Sequence, residues 1–145
     1  MDTYKFYKLE RFDVSYIEII NNLLSQLSSS GRNITEVMLN EIISSDSSEL
    51  YLMLDDTKVI GMFTLGFYVS PTGRKCWLED VVIDSGYRGM SLGKTLMQKV
   101  MEIVSEKGNT TLMLTSKPSR IAANRLYQSS GMEKKETNVY IKCFD

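Results

Sequence analysis

The chain has no histidine, and only two cysteines and two prolines among its 145 residues. Its net charge is −1. Each shortage excludes something. Without histidine there is no Ser–His or Cys–His nucleophile pair. Any general base has to be Asp, Glu, Tyr, Lys, Cys or a chain terminus, acting directly or through a water. Cys76 and Cys143 lack both a histidine and a CxxC spacing, so they make a poor zinc site and a thin disulfide framework. They read as small hydrophobes in a reducing cytoplasm. A charge near zero gives no electrostatic reason to bind nucleic acid or an anionic membrane surface. No apolar run approaches the length of a membrane span, and Asp2, Glu10, Asp13 and Glu18 do not suit a signal peptide.

What is present is ordinary for a soluble globular chain, 43% hydrophobic and 24% charged. The length suits one domain over residues 1–145, large enough to bury a core without staples. "YKFYKLE" (4–10) has the aromatic and apolar content of a strand. Asp13 is placed to cap a helix over 14–27, with Ile17, Ile20, Leu23, Leu24 and Leu27 on one face. "SSSGRN" (28–33) breaks it. Asn33 and Glu36 have capping-box spacing for a second helix through Ile43. Strands follow at 49–54, 58–69 and 75–83, joined by turns at "DDT" and "SPTG". The next helix, 91–107, ends at Gly108. A strand at 110–116, a helix opened by Pro118–Ser119 and closed by Gly131, and a last strand over 137–144 complete the chain. The order β-α-α-β-β-β-α-β-α-β implies an α/β (α+β) fold with a mixed sheet and helices on both faces.

The stretch "VVIDSGYRGMSLGKT" (81–95) runs from strand through glycine turn to helix start, the geometry of a phosphate site. A P-loop needs G-x-x-x-x-G-K-[ST], and Gly89 to Gly93 is one residue short of it. Only about fifty residues follow, too few to complete a doubly wound nucleotide-binding domain.

"RGMSLG" fits another pattern on more residues. It resembles the [RQ]-x-x-[GA]-x-[GA] pyrophosphate loop of the GNAT acyltransferase superfamily, with Arg88 and Gly93 matching and Ser91 where glycine is usual. "WLEDVVI" (77–83) stands where that family has its acidic strand. "AANRLYQSSGM" (122–132) resembles the family's A-x-x-L-Y-x-x-x-G-[FM] helix through Ala123, Leu126, Tyr127, Gly131 and Met132. Arg120 replaces the Asn often found upstream. "LEDVVIDSGYRGMSLGK" also resembles the glucosamine-6-phosphate N-acetyltransferases, whereas the Tyr127 helix resembles a broad bacterial group with unassigned acceptors.

The resemblance implies a GNAT-like fold and an acetyl-CoA-dependent N-acetyltransferase with no metal. The acceptor would be a small-molecule or peptide amine that attacks the thioester directly in a ternary complex. Backbone N–H groups across Arg88, Gly89, Met90, Ser91, Leu92, Gly93 and Lys94 would hold the pyrophosphate. Val81, Val82 and Ile83 would pair with the pantetheine arm like an added strand. Tyr127 would give a proton or hydrogen bond to the leaving thiolate, and Asn124 would meet pantetheine amides. Glu79 is the expected base, its face continuing with Trp77 and Val81 in a regular strand. Asp80, on the opposite face, would bind the acceptor ammonium or pair with a nearby cation. Family members are often dimers, so a homodimer is among the assemblies implied. A rival reading keeps the fold but makes it a non-catalytic acyl-CoA-binding domain. It would need the Arg88–Gly93 loop but neither Glu79 nor Tyr127.

Overall fold

The computed structural model describes residues 4–27 and 32–145. Residues 28–31, within the expected helix-breaking stretch, lie outside the described residues. Two compact units divide the chain at Thr115 and Ser116.

The first unit carries a five-stranded sheet of order β1-β2-β3-β4-β5. The strands are β1 (Tyr4–Lys8), β2 (Ser48–Asp55), β3 (Lys58–Ser70), β4 (Gly73–Ile83) and β5 (Thr110–Met113). The first three pairings are antiparallel and the β4–β5 pairing is parallel, so the sheet is mixed as expected. The helices are α1 (Ser15–Leu27), α2 (Glu36–Ser44) and α3 (Leu92–Glu106).

Period-two alternation sorts the core into two layers. Leu50 and Leu52 of β2, Met62 of β3 and Val82 of β4 form one cluster with Ile20 and Leu23 of α1 and Leu39 of α2. The intervening residues Tyr51, Met53, Phe63 and Leu65 are buried on the other face. Tyr51 stacks on Phe63 there, with ring centroids 5.0 Å apart. α3 packs on β4 and β5 through a stripe that includes Leu96, Met97, Val100 and Val104.

Local chemistry explains most boundaries. The Asp13 carboxylate accepts from the Ser15 backbone N–H at 2.9 Å, opening α1. The expected Asn33 cap for α2 is not the one used. Asn21 of α1 grips the backbone of Ile34, whose N–H donates to Asn21 Oδ1 at 2.6 Å. The next hydroxyl along, Thr35, becomes the N-cap and accepts from the Met38 N–H at 3.2 Å.

The second unit holds α4 (Ile121–Ser129). Asn124 Nδ2 donates to the Lys117 carbonyl at 3.0 Å, tying the helix to the turn before it. The last strand, expected over 137–144, is not formed, and residues 133–145 carry no helix or strand. "TNVYIKCF" has strand-like content, but a strand also needs a ladder partner, and none pairs with it among the described residues. Val139, Tyr140, Ile141 and Phe144 are left 68–88% exposed.

Candidate functional site

The site is built from β4 outward. β5 pairs with β4 only from Arg74↔Thr110 to Trp77↔Met113. β4 continues to Ile83, still paired with β3 on its other side. Residues 78–83 therefore present an open backbone edge among the described residues. Ladder alternation decides which groups face it. The Asp84 N–H donates back to the Ile60 carbonyl at 2.7 Å, so the N–H of Ile83 points away from β3, to the open side.

A bulge interrupts this strand. Met62 pairs with Val82 and Thr64 with Glu79, so Asp80 and Val81 together oppose Phe63. Asp80 takes a left-handed backbone, φ 52°. The extra residue moves the buried face from Leu78 on one side of the sheet to Val82 on the other. Consequently Glu79 shares its face with Trp77 and Val82, and not with Val81 as a regular strand would give. Both Glu79 and Asp80 are exposed. Gly61 accommodates this distortion. A Cβ there would lie 2.8 Å from the Val82 carbonyl oxygen.

After β4 the chain turns through a short 3₁₀ segment, Ser85–Tyr87, capped by Asp84, whose carboxylate accepts from the Gly86 N–H at 2.9 Å. The Tyr87 hydroxyl donates to Asp55 Oδ2 at 2.9 Å, pinning the segment to the β2–β3 turn. Ile83, Tyr87, Arg88, Gly89, Ser91, Leu92 and Gly93 then line a shallow cavity of ≈ 290 Å³. Five of the seven expected loop residues, with Ile83, line this cavity. Met90 and Lys94 are not among its lining residues, and both are exposed.

The cavity lies at the N-terminus of α3, which has no side-chain cap and no acidic residue in its first turn. By contrast, α1 has Glu18 and α2 has Glu36 in theirs. The free N–H groups and positive dipole end of α3 are uncompensated, and Lys94 adds a further positive charge. This geometry suits an anion. Ser91, the N-cap, has φ 59°. Left-handed backbone costs a non-glycine residue about 1–2 kcal/mol, which explains why the pattern usually has glycine there. Its N–H is unaffected by the side chain.

In the second unit, Tyr127 of α4 is buried. Its hydroxyl has no hydrogen-bond partner among the described residues. Asn124 keeps Oδ1 as an acceptor while its Nδ2 is used by Lys117. Cys76 is fully buried in the first unit, and burial first, then the Glu49 charge, pushes its thiol up to about 11. A thiol held protonated is no acyl carrier.

A family model for the Acetyltransferase (GNAT) family matches residues 17–132. The chain belongs to the GNAT acetyltransferase family. It is 32% identical over 66 residues to the thialysine N-epsilon-acetyltransferase of Bos taurus, a match covering 46% of this chain and 39% of that protein. The chain therefore spans about two-fifths of the length of the curated relatives it matches. The glucosamine-6-phosphate N-acetyltransferase of Arabidopsis thaliana is 26% identical, covering 99% of this chain and 100% of that one, with a TM-score of 0.75. An aminoglycoside acetyltransferase from an uncultured soil metagenomic sample, in complex with trehalose, has a TM-score of 0.83. At 15% identity it covers 98% of this chain and 97% of the other, a likeness of fold. No helix among the described residues is long and apolar enough to cross a membrane.

Proposed function

We propose that the protein transfers an acetyl group from acetyl-CoA to a primary amine, by direct attack while both are bound. One observation carries the reading. The open edge of β4 leads into the cavity at the uncapped start of α3, so an extended amide-bearing arm and a diphosphate have adjoining places. The N–H groups of residues 89–93 would hold the phosphates, and Arg88 would add charge. Residues Val81–Ile83 would pair with the pantetheine arm. The Ile83 N–H faces the side where a thioester oxygen would take up negative charge. Acetyl-CoA supplies the activated acyl group, and the protein's task is to place an amine against it.

That amine arrives protonated, with a pKa of about 10, and has to lose a proton before attack. Glu79 is exposed and carries no ion-pair or hydrogen-bond partner among the described residues, so it is free to take the proton, directly or through a water. Asp80 sits at the bulge, where its backbone shapes the edge. Tyr127 would stabilise the leaving thiolate, and Asn124 Oδ1 would accept from a pantetheine amide.

Acetyl-CoA at a hundred times its Kd adds about 2.7 kcal/mol of stability, or roughly 5–10 °C in Tm for a chain of this size. A thermal-shift titration with acetyl-CoA and Mg-ATP in parallel is expected to move with acetyl-CoA alone. A flat acetyl-CoA response would sink the assignment. A shift with no thiol release from any amine would favour the non-catalytic reading. Turnover of glucosamine 6-phosphate alone would favour an amino-sugar-phosphate acceptor, which the plant enzyme's full-length similarity supports.

The expected partner besides the amine is a second copy of the chain. Its support is the tail, whose large apolar side chains at 139–141 and 144 stand in solvent in one copy. Light scattering is expected to return twice the 16.5 kDa of one chain. A monomer mass at micromolar concentration would refute it.

A further inference from the structure

The face of the sheet that carries Glu79 has a gap in it. Glu79 is paired with Thr64, Trp77 with Gly66 and Lys75 with Tyr68. All six positions share that face, opposite to buried Leu65, Cys76 and Leu78. At its centre Gly66 offers no side chain, and a Cβ built there would meet nothing within 4 Å. A recess floored by backbone thus lies beside the chain's single tryptophan, with a carboxylate at one end. At the other end Lys75 donates to Ser70 Oγ at 3.0 Å and also to the Thr72 hydroxyl. Its charge is turned to the hairpin tip and has no anionic partner among the described residues.

We propose that this recess seats the acceptor and selects a primary amine with one positive charge on an apolar body. The inference rests on the acetyl-transfer reading above and deepens it. The ammonium lies at Glu79, next to the open edge of β4, where the thioester would be. The carbon skeleton lies over Gly66 against the Trp77 indole, which offers apolar area and a π-face to a nearby cation. Lys75, about 13 Å along the strand from Glu79, fixes the polarity. It repels a second ammonium at the far end, so the recess disfavours polyamines.

Because Trp77 is the only tryptophan, its emission reports this recess directly. The probes are 2-phenylethylamine, its uncharged counterpart 2-phenylethanol, and spermidine, each titrated with free coenzyme A present. Saturable quenching or shift is expected with 2-phenylethylamine. The alcohol should bind at least ten-fold more weakly, and spermidine no more tightly than the monoamine. Gly66→Leu, which fills the recess, should abolish the response while acetyl-CoA still raises Tm. Should Gly66→Leu fail to fold, Glu79→Gln decides, with an expected ten-fold weakening for the amine and none for the alcohol. An unresponsive Trp77, equal binding of amine and alcohol, or preference for spermidine would overturn the proposal and leave the coenzyme reading standing. A wild-type chain that acetyl-CoA does not stabilise would overturn both.

Discussion

Lys107→Met is expected to destabilise the first unit by about 2 kcal/mol at pH 7, and by clearly less near pH 4. The reason is Glu49, the buried charged residue of the sheet. Its Oε1 accepts from the Tyr51 hydroxyl at 2.5 Å and its Oε2 from Lys107 Nζ at 2.7 Å. Lys107 follows the last turn of α3 and also lies over the Phe67 ring, 4.9 Å from its centroid. It thereby closes α3 onto the sheet. Burial alone would raise the Glu49 carboxyl, but the hydrogen bonds from Lys107 and Tyr51, with the Lys107 charge, outweigh it and hold it below the usual range. The same pairing, after burial, raises the Tyr51 phenol.

Removing one partner of a buried pair typically costs about 3–5 kcal/mol, because the other charge is left without compensation. Lys107 is 37% exposed, so water already screens the pair and brings the cost below that range, to about 2 kcal/mol. The pH sign follows from the direction of the shift. A carboxyl depressed on folding contributes stability above its unfolded value, about 4.3, and loses it as pH falls through the folded value. In Lys107→Met the burial contribution is no longer opposed by the lysine, so Glu49 accepts a proton at higher pH and the variant's deficit shrinks on acidification. Urea midpoints at pH 7 and pH 4 test this. An equal deficit at both would mean that Lys107 acts through packing alone.

Neither residue of this pair was legible in the sequence. Glu49 sits in "SSELYLML", where a polar residue before an apolar run reads as a strand edge. Its partner lies 58 residues on, and only the packing of α3 on the sheet brings them together. What was legible depended on local chemistry. The strands of the antiparallel meander and the helices among the described residues are written in apolar period and turn residues, which act within a few positions. The turn from β4 into α3 was legible for the same reason, because it is a local backbone shape, with Gly89 at φ 81°. The bulge at Asp80 was not, although it sits inside the motif. It is accommodated by the close approach of Gly61 to the Val82 carbonyl, between segments distant in sequence. Its consequence is geometric, since it changes which β4 residue shares a face with Glu79. Gly66 likewise gains meaning only from the register that puts it opposite Trp77. The missing last strand shows the converse. Strand-like content in 137–144 is necessary for a strand and not sufficient, because the partner edge is a tertiary matter.

Tyr127→Phe is expected to lower kcat by about 10²–10⁴-fold, the usual contribution of a positioned proton donor, and to leave stability unchanged. The contrast between the two readouts is the substance of the prediction. Tyr127 is buried, so its ring contributes to packing whatever its chemistry. Phenylalanine keeps the ring. The hydroxyl makes no hydrogen bond among the described residues, so its loss removes no internal contact and leaves no orphaned partner. A purely structural Tyr127 therefore predicts an unchanged rate as well as an unchanged Tm. A donor to the leaving group predicts a rate loss alone, with the KM for acetyl-CoA little changed, because the need arises only as the carbon–sulfur bond breaks. The pH profile gives a further handle. A thiol has an ordinary pKa of about 8.5, so above it the departing sulfur needs no proton. The shortfall of Tyr127→Phe should narrow as pH rises past that value. A deficit constant across pH would leave a hydrogen bond to the sulfur as the role. Wild-type turnover at every pH would remove Tyr127 from the chemistry and leave Glu79, with the open edge of β4, as the catalytic apparatus.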